Sequence, residues 1–326
     1  LDNVTVNVDS NIDKADTTGA GGTTPSDSYI FTRRLQLQNS IINVFSGNTV
    51  KAHLNSTELT SINPNLSVPV GLDVSASGNS TSRATTGVNV ANGATISVDR
   101  TDSGNGGVGA YVIYGKVHNE GKIEVEKTTP NDHAVGIYAT NGTEVNNDTT
   151  GTVEVGGKDS IGILGLSYRI DSKNNVVYEK FGTTGTTKSA LINDKIGLVD
   201  VKNSGKITLD GDNSLGIYAK NNSLDATGTN AGYLRNDIAN TKATNNGEIT
   251  MTGKNAIGMI IEGGIATNDT KGKITISGQE GVAMYGTAIT GAGMAGHIPG
   301  KIHSELNNKG TIDLADTTTS TPIIGM

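Results

Sequence analysis

Asn203-Ser204-Gly205-Lys206-Ile207-Thr208-Leu209, followed after a polar turn by Leu215-Gly216-Ile217-Tyr218-Ala219, is the stretch whose pattern settles the architecture. From Lys206 to Asp210 polar and apolar residues alternate. Ile207 and Leu209 therefore share one face, and Lys206, Thr208 and Asp210 the other, which is the signature of a half-buried strand. The cassette returns as Asn246-Gly247-Glu248-Ile249-Thr250-Met251 with Ile257-Gly258-Met259, and as Lys271-Gly272-Lys273-Ile274-Thr275-Ile276 with Val282-Ala283-Met284-Tyr285. Upstream it reads Gly151-Thr152-Val153-Glu154-Val155 with Ile161-Gly162-Ile163, and Gly121-Lys122-Ile123-Glu124-Val125 with Val135-Gly136-Ile137-Tyr138. Copies recur at uneven intervals of 25 to 54 residues, as in a repeat architecture rather than one globular core.

The spacing inside each copy is far more regular. The first apolar residue precedes the later glycine position by nine residues in four copies (Val153 to Gly162, Ile207 to Gly216, Ile249 to Gly258, Ile274 to Ala283). It precedes it by thirteen in two others, Ile96 to Gly109 and Ile123 to Gly136. This implies one turn geometry with an optional four-residue extension. A lone short strand cannot bury its apolar face, but equivalent strands stacked coil on coil can, with Ile over Ile over Val in one inner wall. Each fully buried aliphatic side chain contributes roughly 1.5–3 kcal/mol. Glycines and the asparagines Asn119, Asn203, Asn246 and Asn308 fall where the chain must turn, both tolerating positive φ, and stacked Asn side chains can form amide ladders. The expectation is an all-β parallel β-helix of ten or so coils, about 50 Å long at about 4.8 Å per coil.

Residues 91–326 are expected to form this solenoid, with insertions near 164–204, 220–245 and 286–308. Residues 1–90 lack clean cassettes and are expected to form an N-terminal cap and the first irregular coils. Insertions in a solenoid emerge from one face and are frequent sites of binding.

Composition narrows the function. A net charge of −7 and six scattered arginines (33, 34, 83, 100, 169 and 235) argue against nucleic acid as a partner. Cysteine is absent, so either the chain is intracellular or its stability comes from stacking rather than disulfides; such a composition also suits a chain that crosses a narrow pore unfolded. No apolar run approaches the length of a membrane span. Leu1 is not an initiator, and the chain reads as a trimmed piece of a larger protein.

Chemical motifs are weak. Gly104-Asn105-Gly106-Gly107-Val108-Gly109 satisfies a dinucleotide-binding pattern, but Ala110-Tyr111-Val112-Ile113 after it is strand-like, whereas cofactor binding needs a helix there. Polysaccharide lyases and hydrolases also use β-helices and gather carboxylates on one face. Here Glu124, Glu154, Thr208, Thr250, Thr275 and Asp313 share one outward position, a mixed ladder with no basic partner evident in register. His53, His118, His133, His297 and His303 are dispersed and make no recognisable metal set. Gly211-Asp212-Asn213 is an isolated echo of calcium-binding repeats. The expectation is no catalytic set, no cofactor and no metal centre.

One aromatic feature stands out. Tyr111, Tyr138, Tyr218 and Tyr285 recur two residues after the glycine position. If Ile217 points inward, Tyr218 points outward, and the tyrosines line one edge of the rod. They either pack beneath the insertions or form a strip for protein or sugar contact. Tyr138 and Tyr218 are candidate contacts on this ground. Tyr168, Arg169, Tyr178 and Phe181 in one insertion, and Tyr233 and Arg235 in the next, are further candidates, each reading alternatively as an anchor pinning its loop.

The pattern Asn-x-Gly-x-Ile-x-(Val/Leu/Met) followed by Gly-Ile-Tyr-Ala resembles the passenger region of fusobacterial type V autotransporter adhesins over roughly residues 90–315. The resemblance implies a right-handed β-helical passenger on the bacterial cell surface, held at the outer membrane by a C-terminal β-barrel translocator that is not in this sequence. It also implies binding to host-cell receptors (including immunoglobulin-like carcinoembryonic-antigen-related adhesion molecules), host glycans or partner bacteria. The short passenger favours one of the smaller adhesins of the group. The expected function is thus a non-enzymatic surface adhesin. The alternatives are a β-helical polysaccharide-degrading enzyme and a passive spacer stalk.

Overall fold

Alternating side chains and short turns wind the chain into nine coils that build three parallel sheets of nine, nine and eight strands. The computed structural model describes residues 5–9, 12–13, 37–38, 40–54, 68–75, 85–127, 130–140, 142–167, 169–170, 175–180, 183–189, 199–221, 241–290 and 301–314. No helix occurs among them. The fourth coil is representative: Lys116–Asn119 in sheet 1, Lys122–Val125 in sheet 2 and Val135–Thr140 in sheet 3. Each strand pairs in parallel with its counterparts one coil above and below, so the architecture is the parallel β-helix expected. Among the described residues the stack has nine coils, in line with the ten or so expected. Thr5–Val8, Ile41–Val44 and Gly87–Val90 already stack in sheet 1, so the described strands before residue 90 belong to the same three sheets.

The core consists of vertical files. In sheet 2, Val50, Ile96, Ile123, Val153, Ile207, Ile249, Ile274 and Ile312 lie in register. One hydrophobic cluster runs from Val8 to Met284, with Leu306, Ile312 and Leu314 packed against it. Ile207 and Leu209 are fully buried, and Lys206 and Thr208 face outward, as the alternation requires.

The cassette glycine has a steric origin. A Cβ on Gly216 would stand 2.4 Å from Gly258 O and 2.7 Å from Ile249 Cγ2, closer than packed atoms approach. Sheet 3 thus leans onto the inner side chains of sheet 2 in the next coil. Ala283 is tolerated because its strand ends sheet 3, with no further described strand stacked on it.

The corner between sheets 1 and 2 is held by an amide ladder. Asn119 Nδ2 donates to Asn147 Oδ1 (2.7 Å), Asn147 to Asn203 (2.7 Å), Asn203 to Asn245 (2.8 Å), Asn245 to Asn268 (2.8 Å) and Asn268 to Asn308 (2.8 Å). The ladder fulfils the sequence expectation with one correction: Asn245, not Asn246, occupies the file, because strand register and not nearness to glycine selects the residue. Positive φ occurs at Gly47 and Gly93 in this same corner, as expected of glycine in a turn, and at a second corner as well. His133, Asp159, Asn213, Asn255 and Glu280 adopt left-handed φ at the corner between sheets 2 and 3.

The three long insertions leave from one corner. Each follows a sheet 3 strand (Ile161–Leu166, Leu215–Lys220, Val282–Thr287) and ends at a sheet 1 strand (Asp200–Asn203, Lys242–Asn245, Glu305–Asn308). Regular strands therefore reclaim the ends of the ranges 164–204, 220–245 and 286–308. The first insertion carries a three-stranded antiparallel sheet of Arg169–Ile170, Asn175–Lys180 and Thr183–Ser189, and the third a two-stranded one.

Candidate functional site

The outward faces of the three sheets differ in chemistry. On sheet 2 the outward file Glu124, Glu154, Thr208, Thr250, Thr275 and Asp313 is in register as expected. A basic partner is present after all. Lys122 Nζ lies 2.7 Å from Glu124 and 3.3 Å from Glu154, and its hydrogen bond to Glu124, more than counteracting burial, holds its pKa above the ordinary 10.5. Lys122 sits in the strand facing Glu154 from the coil below, which spacing within one cassette does not reveal. Outward positions on sheet 1 are likewise mostly polar, among them Lys116, His118, Glu144, Asn146, Asp200 and Lys202.

Sheet 3 is different. Its glycine-flanked strands place two apolar files on the outside. One contains Val108, Val135, Ile161, Leu215, Ile257 and Val282. The other contains Tyr111, Tyr138, Leu164, Tyr218, Ile260 and Tyr285. In coil 3 this face is covered: Val108 and Tyr111 belong to a small outer cluster with Val70 and Tyr114. Farther along, Val135, Ile161, Leu164, Leu215, Tyr218, Ile257 and Val282 are half-buried. Tyr285 is 50% exposed, making it one of two large apolar side chains open to solvent among the described residues.

The expected tyrosine file therefore exists, and its members do different work. Tyr138 leans on Tyr111 with ring centroids 5.0 Å apart and planes at 50°, the tilted packing that aromatic pairs favour. Tyr218 donates its hydroxyl to Glu262 Oε1 at 2.7 Å, and Glu262 also pairs with Lys220. Packing thus accounts for much of Tyr111, Tyr138 and Tyr218, whereas Tyr285 presents its ring outward. Arg169 and Tyr178 lie in the antiparallel insertion sheet, opposite Val177 and Thr186 respectively. Tyr168, Phe181, Tyr233 and Arg235 lie outside the described residues. The sequence reading missed Leu164, Ile260 and the whole Val/Ile/Leu file. The signal was available: an apolar residue directly precedes the glycine position in every quoted copy. Strict alternation hides it, because the pattern slips by one at the glycine.

The Gly104–Gly109 segment runs into the strand Val108–Ile113, as expected for a turn. It is tied down by a buried carboxylate. Glu126 Oε1 accepts from the backbone N–H of Arg100 and of Gly107, both at 2.8 Å, and Oε2 accepts from Asn131 Nδ2 at 3.1 Å. Burial pushes this carboxyl up to about 7; the three donors oppose the rise and nearby Asp99 adds to it. A carboxyl poised near neutrality suits acid–base chemistry, but Glu126 is fully buried and engaged in holding the four-residue extension.

Comparison with known proteins returned no matching family model, curated protein or solved structure.

Proposed function

We propose that this chain is the binding rod of a bacterial surface adhesin, a non-enzymatic passenger that attaches to a host-cell receptor or a partner bacterium. The supporting observation is the outer face of sheet 3, where two unbroken files of Val, Ile, Leu and Tyr run along coils 4 to 8. Contiguous apolar surface rimmed by polar residues marks interaction sites, and tyrosine is favoured at them. The corner that releases the three long insertions borders this same sheet, so a partner can meet loops and apolar files together. The resemblance to fusobacterial autotransporter adhesins supports the same reading. It suggests an immunoglobulin-like adhesion molecule as the receptor class, with a β-barrel translocator supplying attachment to the outer membrane.

Beads coated with this chain are expected to adhere to cells displaying such receptors. Tyr285→Lys places a charge on the apolar face at an exposed position and is expected to reduce adhesion. Thr250→Lys, on the polar face of sheet 2, should not. The next coil supplies a design for removing an insertion, since Gly263-Gly264 alone connects Ile257–Glu262 to Ile265–Asn268. Replacing residues 221–241 with Gly-Gly should weaken adhesion while preserving the stack. Adhesion unchanged in both altered proteins would overturn the proposal. So would turnover of an acidic or neutral polysaccharide, which would favour the enzyme.

A further inference from the structure

Stacking coils brings like charges together, and the stacked carboxylate pairs Glu124/Glu154 and Glu144/Asp200 have lysines beside them. Glu124 and Glu154 share Lys122, while Glu144 has Lys116, Asp200 has Lys202 and Glu262 has Lys220. A third stacked pair has no lysine. Glu120 and Asp148 directly follow the ladder asparagines Asn119 and Asn147, which lie in register, and so occupy equivalent corner positions of coils 4 and 5. At a coil spacing of about 4.8 Å two carboxylates repel. Among the described residues neither pairs with a lysine or arginine. Their neighbour is His118, with Nε2 3.4 Å from Glu120 Oε1 and 3.9 Å from Asp148 Oδ2. The three donor atoms all lie within 4.8 Å of one another.

We propose that His118, Glu120 and Asp148 form a binding site for a divalent transition-metal ion of the zinc class, stapling coil 4 to coil 5. One imidazole nitrogen and two carboxylate oxygens are donors that zinc accepts. Tetrahedral bonds of about 2.0–2.2 Å place neighbouring donors roughly 3.3–3.6 Å apart. The His118–Glu120 separation of 3.4 Å already meets this, whereas the His118–Asp148 separation of 3.9 Å and the Glu120–Asp148 separation, within 4.8 Å, must close around the ion. The side chains are 41%, 44% and 43% exposed, so they can rotate without disturbing the core. Asp148 Oδ1 accepts from Thr149 N at 2.9 Å, which leaves Oδ2 turned to the histidine. The neighbours of His118 in register are the neutral Asn89 and Asn146, and Lys116 on the same strand is paired with Glu144. The site escaped the sequence reading, which found the histidines dispersed, because Asp148 comes from the next coil. It is independent of the adhesion proposal.

Calorimetric titration of the full chain with Zn²⁺ near neutral pH tests it. One ion is expected to bind, and His118→Ala and Asp148→Asn are each expected to weaken binding by more than about tenfold, the loss that even outer-shell changes can cause. Glu124→Gln, beside Lys122 and away from the site, should leave the titration unchanged. Unchanged melting temperatures of the variants without zinc would confirm that the fold is intact. The proposal is overturned by absence of uptake, or by zinc binding that persists in both His118→Ala and Asp148→Asn, which would mark adventitious capture by other histidines.

Discussion

Glu126 shows how one residue can take on a structural task at an energetic cost. Its carboxyl satisfies two backbone N–H groups of the extended turn, and orphaned buried donors would be expensive; burying the charge raises its pKa to about 7 from an ordinary 4.5. An acid whose folded-state pKa is raised holds its proton more tightly when folded, so between about pH 4.5 and 7 the native state binds more protons than the unfolded state. Stability falls as pH rises through that window. The midpoint of urea unfolding should therefore decline from pH 5 to 7.5 in the parent and decline less in Glu126→Gln. Identical pH profiles for the two proteins would show that Glu126 is not the titrating group.

At the scale of an element, the asparagine ladder behaves as a chain with a direction and an end. Each inner Nδ2 that donates to the next amide also approaches a backbone carbonyl; for Asn203 this is Glu248 O at 3.3 Å. Reversing the amide would set oxygen against oxygen, so the orientation is determined. The ladder begins at Asn119 because the equivalent residue one coil earlier is Val90. Asn119 Oδ1 is accordingly buried without a partner. Removing a rung from the middle breaks two amide links, whereas removing the first breaks one and eliminates the orphan. Asn203→Ala should cost about 2–4 kcal/mol of stability, and Asn119→Ala distinctly less, as read from denaturant midpoints. Equal losses would mean that the ladder adds nothing beyond its backbone turns.

For the molecule as a whole, stability is carried by contact between neighbouring coils. Ile207 sits in coil 6, fully buried between Val153 and Ile249. Ile207→Asp places an unpaired charge in that file, a cost no nearby cation offsets, and should open the rod in the middle. Thr208→Asp, one residue on but facing outward, should be mild. Limited proteolysis should cut the first variant near coils 5 to 7 and leave the second like the parent. Equal susceptibility would show that the faces are wrongly assigned. The rod also organises its outer face: exposed Tyr285, buried Ile260 and half-buried Tyr218 come from successive coils and meet in one file only because the coils stack without slipping.

The inward positions of Ile207 and Leu209, the cassette glycines and the nine- and thirteen-residue turns were legible in the chain because they arise from local forces. The pleat has a period of two, and a turn of given length has few geometries. Files of equivalent cassette positions were legible as well, but contacts between non-equivalent positions of neighbouring coils were not, since insertions of unequal length separate strands that end up about 4.8 Å apart. Lys122 therefore meets Glu154, His118 meets Asp148, and Asn245 rather than Asn246 joins the ladder, through a register that no single cassette contains. The outer Val/Ile/Leu file of sheet 3 was written in every copy but hidden for another reason. Close approach to the next coil forces a glycine into each strand, and at that glycine the alternation that guides sequence reading breaks.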